Sequence, residues 1–468
     1  RLHEAGRHVV LLEQHRIGSG TTGGSSAHLT EQVDCSYSRI ITDFGIDEAK
    51  LVATACRHAI EHIHQRCEKL HLDCQFERVP GWLVAESEDE LDRLAHEHAA
   101  AHEAGVDVVM ETSVPLPYPV AAGLRFRHQA KLDALAYVRG LALEAHRRGV
   151  RIYESTHVAK VDDGEPCVVH LAQGPRLKAQ AVFLATHSPN NWLFLNAKLS
   201  PYRSYCAAFP DVPLPNALFW DLAEPYHYLR TAELQGQRYV VVGGEDHKTG
   251  QDEEAHHIEA LVDWARGRLH AGKPRFTWSA QLYEPADGLP YIGRNSASRH
   301  VYVCTGLSGD GLTLGTAGAL IVSDLILGAD NPFERVFTAT RLKPIASLLH
   351  FVKDNAAFPA HLIGDRLGTP GAETLAELAR GEGRVVRVDG RRVAVYRDEE
   401  NGLHAVSAVC THMGCLVKFN DLERTWDCPC HGSRFDLSGE VLDGPATKAL
   451  DRVQVLDTVP PLRKTSGR

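Results

Sequence analysis

CTHMGCLVKFNDLERTWDCPCHGSRFD, residues Cys410 to Asp436, sets thiols and imidazoles in two short loops. The order is Cys-x-His (Cys410, His412), fifteen intervening residues, then Cys-x-x-His (Cys428, His431). Two chemistries use that donor set. A [2Fe–2S] cluster of mixed ligation takes two Cys on one iron and two His on the other. A structural zinc site takes the same four donors in a tetrahedral cage. Donor types alone leave both open.

The neighbouring residues separate them. The stretch resembles the paired boxes of the Rieske family, C-x-H-x-G-C and C-x-C-H-G-S, residue by residue. That resemblance implies Cys410, His412, Cys428 and His431 as cluster ligands, with Gly414 and Gly432 making the tight turns, and it disfavours zinc. It also places Cys415 and Cys430 where one branch of the family ties its two loops with a disulfide. Such a bond, shielded beside a cluster, would persist even in a reducing compartment. Ser433 falls where the high-potential branch has a hydroxyl, whereas Phe435 replaces that branch's tyrosine. Hydrogen bonds to the sulfurs raise the potential, so with one donor missing an intermediate value is expected, inside roughly −150 to +300 mV.

The 468-residue chain is long enough for two or three domains, each with its own core. A net charge of −10 argues against nucleic acid or an anionic membrane surface as partner. No apolar run approaches the roughly 20 residues needed to span a bilayer. Outside the cluster region, Cys35, Cys56, Cys67, Cys74, Cys167, Cys206 and Cys304 are scattered without a spaced framework. That is the pattern of a cytoplasmic protein with reduced thiols.

Read from the start, LHEAG looks like a helix end with its Gly cap, and HVVLLE like a strand closed by the acid Glu13. In a dinucleotide fold an acid so placed binds ribose hydroxyls. The first strand and its Gly-rich phosphate turn are expected on the N-terminal side of this segment. Gly18 to Ser26 then form a small-residue loop opening a helix, where backbone N–H groups approach phosphate or flavin closely. Residues 47–105 read as helix-rich, with DEAKLVATACRHAIEHIHQRC amphipathic, and 200–283 as a mostly antiparallel region. VYVCTG enters a turn carrying Gly306, Gly309 and Gly311 and then a small-residue helix. From 373 onward, short strands joined by DG and NG turns give a small all-β domain.

The run LLE, IGSGTTGGSSAHLT, THVAKV, FLATHSP, DGLPYIG and TGLSGDGLTLGTAGALIVSDLILG resembles the D-amino-acid-oxidase/glycine-oxidase superfamily of FAD-dependent oxidoreductases. The fold this implies is an α/β FAD-binding domain (Rossmann-like, glutathione-reductase-type) with an antiparallel-sheet substrate domain, followed by the all-β Rieske domain. The expected boundaries are 1–335 for the oxidoreductase, 336–372 for a helical connector and 373–468 for the Rieske domain. Nucleotide-binding parts fall at about 1–45, 150–198 and 285–335, and substrate parts at about 46–149 and 199–284. Carried across by position, Glu13 binds ribose, while Thr21, Thr22 and Ser25 line the phosphate and flavin approach. Val158 touches adenine through its backbone, Ala185 and Thr186 lie along the cofactor, and Gly306, Gly309, Gly311, Leu312 and Thr313 sit at the flavin ring.

Two departures bear on chemistry. The family's amino-acid oxidases usually carry an arginine ahead of D-G-x-P that grips the substrate carboxylate; here the run is QLYEPADGLP, with Tyr283 and Glu284. An amine or neutral substrate is therefore favoured over a simple α-amino acid. Gln281 lies near where one branch links its flavin to a cysteine, so FAD is expected to be non-covalent. Tyr228, Arg230 and His247 are the substrate-side candidates. The function expected is oxidation of a small, amine-type molecule, with electrons leaving through the cluster to a redox protein or quinone. Two alternatives remain: a Rieske oxygenase, which needs a further iron held by two His and a carboxylate, and a redox carrier with no dedicated substrate.

Overall fold

The computed structural model describes residues 1–189, 193–251, 254–341, 371, 375 and 377–455. They fall into two units, Arg1–His247 with His256–Phe351, and Lys248–Ala255 with Val352–Arg468. Of the connector expected over 336–372, residues 342–370 lie outside the described residues; the short helix Glu334–Phe337 is placed at its start. Among the described residues, no helix is long and apolar enough to cross a membrane.

The first unit is dominated by a nine-stranded sheet. Its order is Phe276–Pro285, Leu199–Pro210, Gln237–Lys248, His227–Leu234, Leu218–Asp221, Glu77–Ala85, Ala122–Lys131 and His28–Leu29, with Val108–Glu111 also on Ala122–Lys131. Runs rich in β-branched and aromatic residues, such as RYVVV, suit this half-buried pleated surface. Pairing is antiparallel along His227–Leu234 and Gln237–Lys248, in the register Tyr228↔Gly243 and Arg230↔Val241. It is parallel where Leu218–Asp221 meets Glu77–Ala85. Alternation of side chains puts Tyr228 and Arg230 on one face, and His227 and Leu229 on the other.

Beside this sheet lie two small parallel pairings, Val10–Leu12 with Arg151–Tyr153 and Val182–Leu184 with Val301–Thr305. The helix Gly311–Leu327 follows the last of these strands and packs on it closely. A Cβ at Gly318 would stand 2.5 Å from Cys304 Sγ, so only glycine permits this approach. Helix Ile46–Leu70 presents Ala49, Val52, Cys56 and Ala59 to the same core, at the three- and four-residue spacing of one helix face.

Three placements differ from the sequence expectation. Residues 47–105 contain the strand Glu77–Ala85 as well as helices, with a register shift between Val79 and Gly81. Helix Ile46–Leu70, expected in the substrate part, packs against Gly311–Leu327, and His28–Leu29, expected in the nucleotide part, joins the large sheet. Local pattern fixes what an element is, but long-range packing fixes where it goes.

The second unit holds two antiparallel sheets. Gly383–Val388, Arg391–Arg397 and Leu403–Ser407 form one, turned at Asp389-Gly390 and Asn401-Gly402. Asp389, Gly390 and Asn401 all have positive φ, the conformation that makes DG and NG good hairpin residues. Lys418–Asn420, Thr425–Asp427, Arg434–Phe435 and Val441–Asp443 form the other. It is built around Arg434, which is 7% exposed. Its Nε donates to both oxygens of Asp427, at 3.2 and 3.3 Å, and Nη1 donates to Asp443 at 3.0 Å. Nη2 reaches Glu423 and Thr425. Asp427 directly precedes the loop Cys428–Ser433 and Arg434 directly follows it, so one buried ion pair pins both ends of that loop.

Removing one partner of a buried pair strands the other charge away from water. Asp427→Ala should therefore destabilise this unit by ~3–5 kcal/mol. Glu423→Ala, at the solvent-facing end of the network, should cost under ~1 kcal/mol. Denaturant unfolding followed by the cluster's visible absorption measures both.

Candidate active site and cluster site

The two cluster-region loops are built alike. In one, the Cys410 amide donates to the Cys415 carbonyl at 2.8 Å and the Gly414 amide to the Cys410 carbonyl at 3.0 Å. In the other, Cys428 donates to Ser433 at 2.8 Å and Gly432 to Cys428 at 3.0 Å. Gly414 (φ +77°) and Gly432 (φ +74°) take the left-handed turn that each loop needs.

Their side chains converge. The Cys410 and Cys428 sulfurs are within hydrogen-bond reach, and that contact holds the Cys410 thiol down to about 7. The His412 and His431 rings stand 5.0 Å apart at 90°. His412 Nε2 is buried without a hydrogen-bond partner among the described residues. Burial lowers both imidazoles, His431 to about 4, favouring the neutral form that ligation requires. Cys415 and Cys430 are joined by a disulfide, with Cα atoms 6.6 Å apart. Their sulfurs lie within 4.8 Å of Cys428 Sγ, but as disulfide sulfurs they are not thiolate donors. Two thiols and two neutral imidazoles on matched loops fit a mixed-ligand cluster. Ser433, fully buried, hydrogen-bonds the Cys410 sulfur and accepts the Ala446 amide at 3.0 Å. Phe435 is fully buried in the core containing Cys410 and Cys428.

The flavin-side residues lie in the first unit. Glu13 follows strand Val10–Leu12, and its Oε1 accepts the His15 amide at 2.8 Å. Thr21 and Thr22 lie in the short turn Thr21–Gly24. Thr21 donates its hydroxyl to the Gln281 carbonyl at 3.0 Å, and Trp278 Nε1 donates to the Gly24 carbonyl at 2.8 Å. Those bonds fasten this loop to the large sheet. Ser25 Oγ accepts the Ala27 amide at 3.0 Å. Val158 opens the strand Val158–Asp162, while Ala185 and Thr186 are exposed just after Val182–Leu184. Thr186 donates its hydroxyl to the Ser188 carbonyl at 2.7 Å.

Gly306, with φ +70°, turns the chain out of strand Val301–Thr305. Gly309 and Gly311 flank Asp310 at the start of helix Gly311–Leu327, with Leu312 partly buried and Thr313 fully buried. That helix start fits a flavin ring. Asp310 supplies no side-chain cap, Thr313 Oγ1 is buried without a partner among the described residues, and a Cβ at Gly311 would meet open space. Uncapped N–H groups facing open space suit an electron-rich ring edge. Burial pushes the Cys35, Cys206 and Cys304 thiols up to about 12, so none is a thiolate at neutral pH.

The substrate-side candidates separate. A Cβ at Gly243 would stand 2.1 Å from the Tyr228 ring, so glycine lets the phenol lie flat along the sheet. Its hydroxyl reaches Ser204 Oγ at 3.3 Å and Cys206 Sγ at 3.2 Å. Arg230 shares this face, but Nη1 is taken by the carbonyls of Ala27 and Leu132, at 3.1 and 3.0 Å. His247 hydrogen-bonds Tyr205 at 2.8 Å, and Tyr205 lies between Ser204 and Cys206, hence on the opposite face.

Sequence reading missed the acids near Tyr228. Asp246 is hydrogen-bonded by Ser204 and Tyr226, and burial pushes its carboxyl up to about 7. Asp34 accepts the Gly309 amide at 2.6 Å and gives its own amide to Asp310 at 2.9 Å. Asp34 is open to solvent, yet the surrounding protein desolvates its carboxyl and raises it, as for a group lining a deep cavity. Burial, then Asp34, also drives Asp310 upward. The only signal in the sequence was the acid-rich GGEDH stretch.

Comparisons with known proteins bear on both units. Residues 1–325 match the family model described as FAD dependent oxidoreductase, and residues 372–459 match the Rieske [2Fe-2S] domain. A Bacillus subtilis (strain 168) protein, described as the Rieske 2Fe-2S iron-sulfur protein YhfW, is 32% identical over 459 residues, covering 97% of this chain and 90% of the relative. Cytochrome b6-f complex iron-sulfur subunit 1 of a Nostoc species is 35% identical over 91 residues, 19% of this chain and 43% of that subunit. Glycine oxidase from Geobacillus kaustophilus shares the fold with a TM-score of 0.62 at 20% identity, over 73% of this chain and 94% of that one. L-proline dehydrogenase from P. horikoshii does so with a TM-score of 0.57 at 19% identity, over 72% and 92%.

Replacing Phe435 by tyrosine tests the surroundings of the cluster. Phe435→Tyr should add a hydroxyl donor toward a ligand sulfur and raise the midpoint potential measured by redox titration. An unchanged or lower potential would mean that the side chain does not face the cluster.

Proposed function

The chain belongs to the family of FAD dependent oxidoreductases and carries a Rieske [2Fe-2S] domain, and from that premise we propose that it oxidises a small amine-type substrate and passes the electrons through the cluster to an acceptor, a redox protein or a quinone. Its cofactors are FAD and a [2Fe–2S] cluster. Bound FAD supplies two-electron acceptance and one-electron release, and the cluster supplies one-electron transfer. The observation that carries the reading is the pair of matched loops, which bring Cys410 to Cys428 and His412 to His431 in a chain whose other unit has a flavoenzyme fold.

In this reading Cys410 and Cys428 hold one iron, His412 and His431 hold the other, and the Cys415–Cys430 bond ties the loops together. The domain limits are 1–335, 336–372 and 373–468. The helix start at Gly309 to Thr313 carries the flavin ring, Gly306 turns the chain toward it, and Glu13 holds ribose. Thr21, Thr22 and Ser25 serve through the backbone of the loop that they brace, and Val158, Ala185 and Thr186 line the rest of the cofactor. FAD is bound without a covalent link, a reading supported by the absence of a thiolate among Cys35, Cys206 and Cys304. Tyr228 is the substrate-side residue that the geometry favours among the three first considered.

Two measurements test this. Cys410→Ala or His431→Ala should abolish the rhombic paramagnetic signal of the reduced cluster while leaving FAD absorption unchanged; zinc in place of iron and sulfide in anaerobically prepared protein would overturn the ligand assignment. Under anaerobic conditions at least one member of a broad panel of amines should bleach the flavin, in protein holding about two irons per chain. About three irons per chain, with no amine bleaching the flavin, would contradict the reading and favour an oxygenase.

A further inference from the structure

We propose that the Tyr228 face of the large sheet binds the substrate through an ammonium group held by Asp246, with Asp34 in electrostatic reach, and that the substrate carries no carboxylate on the carbon next to that nitrogen. This rests on the reading of the protein as an amine-oxidising flavoenzyme and names the chemistry by which it would choose its substrate.

Asp246 receives hydrogen bonds from Ser204 and Tyr226, but its Oδ1 is buried with no partner among the described residues. A buried carboxylate oxygen without a donor is unfavourable, and proteins rarely leave one so. No lysine or arginine forms an ion pair with Asp246 or Asp34 among the described residues. Arg230, on the same sheet face as Tyr228, is held back by the carbonyls of Ala27 and Leu132. A bound molecule with an N–H to give would supply the donor that Asp246 Oδ1 lacks among the described residues.

The surroundings define that donor. Tyr226 hydrogen-bonds Asp246 and lies within electrostatic reach of Asp34, Tyr228 and Glu284. The rings of Tyr226 and Tyr228 are 5.8 Å apart and inclined at 34°. Carboxylates beside aromatic faces attract a cation, and an ammonium brings up to three N–H donors to satisfy them. A carboxylate next to the amine would meet Asp34, Asp246 and Glu284 instead, and like charges at short range repel. Asp34 is also tied by its Gly309 bond to the loop that begins the helix Gly311–Leu327. That bond joins Asp34 to the flavin-side backbone.

A matched pair of ligands separates the possibilities: n-butylamine, and norvaline, which is the same amine bearing a carboxylate on the carbon next to nitrogen. Each is titrated anaerobically into the full chain loaded with FAD and cluster, with binding read by calorimetry and by the shift in flavin absorption. n-Butylamine should bind at least tenfold more tightly than norvaline. Asp246→Asn should weaken n-butylamine tenfold or more while leaving the flavin absorption of the free protein and the cluster's paramagnetic spectrum unchanged. Asp34→Asn should give a smaller loss of the same kind, and it carries the test if the first variant does not retain FAD. Norvaline binding as tightly as n-butylamine, no binding of n-butylamine, or affinities indifferent to both substitutions would overturn the proposal. Amines that bleach the flavin while affinity ignores both substitutions would sink the ammonium site alone. A flavin bleached by neutral alcohols and by no amine would sink the amine reading, and this inference with it.

Discussion

A charge buried away from water must find a counter-charge, and the structure can be followed by asking where each one does. Arg434 finds Asp427, Asp443 and Glu423, and by doing so clamps the residues on either side of the loop Cys428–Ser433. In the first unit Arg341 finds Asp287, with both side chains almost fully buried. Its Nη1 also takes the Pro290 carbonyl at 2.7 Å, so the turn through DGLP is fixed by charge and by backbone bonds together. Asp246 and Asp34 break the pattern. Among the described residues neither is paired with a lysine or arginine, and Asp34 is bonded to Gly309 at the helix start that fits the flavin. Where compensation fails at an enclosed position, a ligand is the natural partner, which links the energetics of the fold to the chemistry proposed for it.

The two units show different amounts of themselves in the sequence. The cluster loops were legible because everything that matters in them is local. Cys410 and Gly414 are four residues apart and closed by one backbone bond, and so are Cys428 and Gly432. The DG and NG hairpins were legible for the same reason, since the positive φ required there selects those residues. Glycines at the flavin side were legible as a loop before a helix, although their tasks differ. Gly318 admits Cys304 and Gly243 admits Tyr228, and neither contact is visible from spacing.

The substrate side was not legible because its residues are far apart in the chain and meet only in the folded unit. Asp34, Ser204, Tyr226 and Asp246 come from four separated segments, Asp34 from a loop outside the strands, and only the fold brings them together. His247 drew notice as a polar residue in a suggestive loop, yet it is one residue from Asp246 and so points to the other side of the strand. A strict period of two from Gly243, the partner of Tyr228, would put His247 with Tyr228, but positive φ at Gly244 and Glu245 breaks the alternation and turns it toward Tyr205. The strand Glu77–Ala85 hid behind Pro80 and Gly81, which interrupt its alternation where its register shifts, inside a stretch otherwise made of helices.

Electrons taken from an amine should reach the cluster. Paramagnetic resonance on samples freeze-quenched after anaerobic mixing with a flavin-bleaching amine follows that transfer. The expected result is a rhombic cluster signal that grows once flavin absorption has begun to fall, approaching one spin per chain. A flavin that bleaches completely while the cluster stays oxidised throughout would contradict it.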